Sequence, residues 1–87
     1  MRPLAFAWLQ KSGRMTDRDV FRRALGKRLL KRRKRAGMTQ AELASASDIK
    51  ENSIRNYELG KNEMPAWALY RLSAALDCSM EDLTGVW

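Results

Sequence analysis

Eighty-seven residues make one domain with room for one modest core. A single cysteine, Cys78, and no histidine exclude an internal disulfide, a zinc site of any familiar kind and histidine-dependent acid–base chemistry. The net charge of +7 is uneven, with 13 Lys/Arg against 2 acids up to Gly37 and 4 against 8 from Met38 onward, which points to a polyanionic partner.

An apolar fraction of 45% beside 31% charged residues is the composition of a folded soluble domain. The longest apolar stretch, residues 4–9, is too short to span a bilayer and short for a signal-peptide core, so the expectation is a cytoplasmic protein with no membrane partner. Residues 1–18 are read as an N-terminal extension and residues 19–87 as the domain. Pro3 suits a first helical position, and Leu4, Ala7 and Trp8 would share a face, so the extension reads either as a short amphipathic helix or as a loosely ordered tail. Leu4, Phe6 and Trp8 are its candidate anchor for a protein partner, a second subunit or the domain itself.

Thr16 and Asp17 mark the start of the first domain helix, expected over about residues 19–36 and closed by Gly37. Phe21, Leu25 and Leu29 recur at four-residue spacing with Ala24 beside them, which predicts a core-facing stripe. Its second half carries Lys31-Arg32-Arg33-Lys34-Arg35, cations that must spread around the helix and cannot all touch one ligand.

Thr39 and Glu42 have the spacing of a capping box, and Leu43 and Ala44 then face inward. Ala46-Ser47-Asp48 carries the short residues of a sharp turn. A second short helix follows over about residues 51–59. Ile54 and Tyr57 share one face and Glu51, Asn52, Arg55 and Asn56 the other, and Gly60 ends it in the left-handed conformation. A polar helix held on a small apolar scaffold suits the major groove of duplex DNA. Beyond a loop at residues 61–64, Pro65 opens a helix near residues 66–76 with Trp67, Leu69, Leu72 and Leu76 on its apolar face. Ser79 caps a last short helix containing Leu83, and Trp87 completes the core or, with Trp67 and Met80, a dimer contact. Cys78 reads as a small buried hydrophobe.

The residues Gly37-Met38-Thr39-Gln40-Ala41-Glu42-Leu43-Ala44, then Ser53-Ile54, Tyr57-Glu58, Gly60-Lys61 and Pro65, and on through Leu72 to Leu83, resemble the Cro/repressor-type (XRE-like) helix-turn-helix family in order and spacing. The resemblance implies an all-α fold, a compact five-helix lambda-repressor-like DNA-binding domain with a short N-terminal extension. It also implies that Gln40 meets a phosphate at its helix start, that Arg33 forms a structural ion pair with Glu58, and that a small residue suits position 26 for close packing. Three positions depart from the family pattern: Asp48 replaces a glycine, Lys50 a capping Ser or Thr, and Arg32 an apolar residue.

Glu51, Asn52, Arg55 and Asn56 form the expected base-reading set. Asparagine bonds bidentately to adenine, arginine to guanine, and glutamate accepts from cytosine. Glu51 and Arg55 are also spaced to bridge each other. Gln40, Lys50, Ser53, Lys61 and Asn62 form the expected phosphate-holding set, which positions without reading sequence. The leading expectation is therefore a sequence-specific double-stranded DNA-binding regulator that occupies an operator as a homodimer, without cofactor or metal. A protein-interaction module of antitoxin type is the second reading, and a membrane or nonspecific RNA binder the third. No nucleophile–base, paired-carboxylate or phosphate-loop constellation points to an enzyme.

Overall fold

The computed structural model describes residues 16–85; the readings placed on Leu4, Phe6, Trp8 and Trp87 lie outside the described residues. Among the described residues five helices follow in order: α1 (Asp17–Arg35), α2 (Gln40–Ser47), α3 (Glu51–Glu58), α4 (Ala66–Ala75) and α5 (Met80–Thr84). None of them is long and apolar enough to cross a membrane.

Three of these helices start with the same device. Thr16 with Asp19, Thr39 with Glu42 and Ser79 with Asp82 each close a capping box. At α2 the Glu42 N–H donates to Thr39 Oγ1 at 3.0 Å while the Thr39 N–H donates to Glu42 Oε1 at 2.8 Å, so two backbone donors without helical partners are satisfied together. Backbone N–H donation from Thr16 and from Ser79 holds Asp19 and Asp82 below the usual carboxylate range, and a hydrogen bond from Arg18 does the same for Glu63. A carboxylate depressed by folding stabilises the native state above its unfolded value and loses that contribution as pH falls. With no histidine to titrate, the melting temperature is expected to hold level between about pH 8 and 5 and to fall below about pH 4, which a pH series of thermal melts checks.

The five largest fully buried side chains are Leu29, Leu43, Ile54, Leu72 and Leu83, one from each helix. Leu25, Ile49, Tyr57, Ala68 and Leu76 complete the core around them. Each large apolar side chain buried in this way contributes about 1.5–3 kcal/mol against exposure. Because every helix delivers one such residue to a shared centre, no helix can leave without opening the core.

The core corrects three expectations. Phe21 does not extend the Leu25–Leu29 stripe; it is 45% exposed and lines a shallow pocket with Arg18, Met64 and Glu63. Trp67 is also exposed, with the Arg71 guanidinium 5.4 Å over its ring, and Ala68 and Leu72 carry the buried face of α4 instead. Ala46 and Ser47 do not form the turn. Helix α2 runs through both, the buried Ser47 hydroxyl donates to the Leu43 carbonyl at 2.7 Å, and the turn is made by Asp48 to Lys50. Asp48 takes the left-handed conformation at φ 57°, where the family pattern has glycine.

Arg32, the charged residue on α1 where an apolar one is usual, reaches Asp82 of α5 at 3.6 Å and so links the first and last of the described helices. Cys78 is half-buried against the core, and burial pushes its thiol pKa up, away from the reactive thiolate.

Candidate nucleic-acid interface

Helix α3 presents the surface of interest, and its setting begins on α1. A Cβ built on Gly26 would stand 2.2 Å from the Tyr57 carbonyl oxygen and 2.9 Å from that of Glu58. Only a residue without a side chain lets the last turn of α3 lie directly on α1 at this point.

About two turns further along α1, Arg33 completes the attachment. Its Nε donates to Glu58 Oε2 at 2.7 Å and its Nη2 to Glu58 Oε1 at 3.1 Å, a fork-to-fork pair that lysine could not reproduce. Its remaining nitrogen, Nη1, donates to the Met38 carbonyl at 2.8 Å, and the Gln40 side-chain amide donates to Glu58 Oε1 at 2.9 Å. Both charged residues are buried, and the hydrogen bonds that Arg33 donates to the Glu58 carboxylate raise the Arg33 pKa above its ordinary value. Four segments (α1, the α1–α2 loop, the start of α2 and the end of α3) therefore meet on one carboxylate–guanidinium pair. The Gln40 side chain thus spends one of its two amide N–H groups on this hub.

Beyond the hub, the Arg22 guanidinium donates to the Gly60 carbonyl at 2.6 Å, and the Lys61 N–H donates to the Asn56 carbonyl at 2.9 Å. These bonds fix the loop carrying Lys61 and Asn62 beside the end of α3, a contact that no sequence spacing announces because its partners are 38 residues apart.

On the outward side of α3, Glu51, Asn52 and Arg55 are exposed and Asn56 is half-buried, while Ile54 and Tyr57 are buried opposite them. The four expected reading residues thus share one face. Arg55 stands between two of them, 3.8 Å from Glu51 Oε2 and 3.4 Å from Asn52 Oδ1, so in the free protein its guanidinium is held over this face rather than extended. Lys50 and Ser53 lie at the start of the helix and Lys61 and Asn62 just beyond its end, all but the half-buried Ser53 exposed. Cations therefore flank a nearly neutral, hydrogen-bonding face about two turns long. Such an arrangement can hold phosphate at both ends while polar side chains meet base edges between them.

Comparison with known proteins agrees with this geometry. Residues 29–83 match the helix-turn-helix family model, which spans the core from Leu29 to Leu83 and every residue of the hub. The crystal structure of the restriction-modification controller protein C.AhdI from Aeromonas hydrophila superposes with a TM-score of 0.69 at 26% sequence identity, over 70% of this chain and 92% of that one.

Proposed function

Because the chain belongs to the XRE-type helix-turn-helix family of DNA-binding transcription regulators, we propose that it represses transcription by occupying a specific operator as a homodimer, with α3 in the major groove. The observation that carries this reading is the division of α3 into a clamped, buried face and an outward face bearing Glu51, Asn52, Arg55 and Asn56. A base-reading helix needs both: side chains free to bond base edges and a backbone that does not shift when they do. Likeness to a restriction-modification controller protein supports a regulatory role over a purely scaffolding one. In the proposed site, Lys50, Ser53, Lys61, Asn62 and the start of α2 at Gln40 set register on the phosphates, and Asn52, Asn56 and Arg55 read bases. Glu51 holds Arg55 until a guanine or phosphate replaces it.

Selection of binding sites from a random duplex library, with competitor DNA at physiological salt, tests the proposal. The expected product is a palindrome whose half-sites lie about 34–36 Å apart, one turn of the duplex. Asn52→Ala or Asn56→Ala should then relax the motif at one position, at about 1–3 kcal/mol of discrimination, whereas Lys61→Ala should weaken all sites alike. A library that returns no motif would sink the operator reading. It would favour instead a protein-interaction role, for which the exposed Leu59, Trp67 and Tyr70 offer apolar contact.

A further inference from the structure

Eight of the ten cations of α1 fall into two groups. Arg18, Arg22, Arg32 and Arg33 are each paired with an acid, Arg22 within α1 and the other three with acids of other segments. Lys27, Lys31, Lys34 and Arg35 are exposed, and among the described residues no acid lies within ion-pair range of them. The three lysines fall within about 60° of one another around the helix and opposite the buried line of Leu25, Leu29 and Arg33. They form the outermost ridge of α1, bordered by shallow grooves that Lys27, Arg28 and Lys31 line on one stretch and Arg28, Lys31, Arg32 and Arg35, with the acid Asp82, on the next.

Like charges at four-residue spacing destabilise a helix, so this ridge weakens the free protein rather than strengthening it. The reading face cannot supply a strong attraction in its place, since Glu51 and Arg55 neutralise each other there. Helix α3 packs on the Gly26 side of α1, so the ridge is turned well away from the flank that carries the reading helix.

We infer that the Lys27–Lys31–Lys34 ridge is a second duplex-binding surface, which takes the phosphate backbone of DNA outside the half-site met by α3. Over about 10 Å of helix the ridge faces a length of duplex carrying about six phosphate charges, and it reads no bases. The phosphates come either from flanking DNA of the same duplex or from a second duplex. This inference rests on the DNA-binding reading above, but its first test needs no operator.

The test compares the full chain with the triple variant Lys27→Gln/Lys31→Gln/Lys34→Gln. All three side chains are exposed and unpaired, so the variant should melt no lower than the parent, which separates lost binding from lost fold. On a long duplex of random sequence, the slope of log K against log salt should become shallower by about 2–3, because each neutralised phosphate contributes about 0.9. An unchanged slope in the folded variant overturns the inference. An absent selection motif beside a reduced slope would instead remove the operator reading and leave the ridge standing.

With the selected operator in hand, two further arms separate the sources. Lengthening the flanks of a trimmed operator should tighten binding of the parent and not of the variant if the ridge takes flanking DNA. Protein saturated with trimmed operator should capture a second, labelled duplex, again only with the ridge intact, if it bridges two duplexes. A ridge variant weakened equally on the trimmed operator, with no response in either arm, would place these lysines within the half-site and overturn the inference.

Discussion

Gly26→Ala should destabilise the domain more than any other single-methyl change. The added carbon would sit 2.2 Å from the Tyr57 carbonyl oxygen and 2.9 Å from that of Glu58, both backbone atoms that cannot rotate aside. Alanine gains about 1 kcal/mol of helix propensity over glycine, and in an exposed helix that gain would dominate. Here overpacking, at about 1–3 kcal/mol and toward its upper end for a backbone clash, outweighs it. The alternative to tolerating the clash is to push α3 off α1, which lengthens the Arg33–Glu58 hydrogen bonds at the same time. In a domain of this size about 1 kcal/mol moves the melting temperature by about 4–8 °C, so thermal melts should show a drop of at least about 5 °C. A variant melting at or above the parent would mean that the helices do not approach so closely.

Removing one partner from the hub should cost more still. Glu58→Ala leaves the Arg33 guanidinium buried with only the Met38 carbonyl, and Arg33→Ala leaves the Glu58 carboxylate with only the Gln40 amide. Breaking a buried pair on one side costs about 3–5 kcal/mol, because the remaining charge stays desolvated. The double variant Arg33→Met/Glu58→Leu removes both charges, and it should regain most of that loss in denaturant unfolding. What it should not regain is DNA affinity, since the fork that sets the angle between α1 and α3 would be gone. Stability recovered together with full affinity would show that apolar packing alone orients α3.

The sequence made a good part of this legible, in a pattern that physical scale explains. Features whose partners are three or four residues apart were readable: the box at Thr39–Glu42, the cap at Ser79, the two faces of α3, and the left-handed Gly60. Phe21 and Trp67 misled because periodicity identifies an apolar line but not how far the neighbouring element reaches. Phe21 sits where the cover is a loop bearing Glu63 and Met64, and Trp67 lies one position off the face that α2 and α5 cover. The bond from Arg22 to the Gly60 carbonyl left no trace in the sequence, because a backbone acceptor has no residue type to recognise. For the interface, the residue types and the shared face were readable. The posture of Arg55 between Glu51 and Asn52, and the commitment of Gln40 to Glu58, became visible only with the side chains in place.

The two ends of α3 are held very differently. The far end is fastened by Gly26, Arg33 and the Gly60 carbonyl, whereas at the near end Lys50 supplies no side-chain cap. Helix α3 is thus held most firmly at its far end, its root. Local opening has least to overcome at the tip, in the uncapped first turn with Glu51 and Asn52, ahead of the fully buried Ile54. A small change in duplex shape can be absorbed there while the root, and the core beneath it, keeps its place. The same asymmetry gives the absent cap a use: the first amides of α3, left without a protein acceptor, stay available to whatever anion the tip comes to rest against.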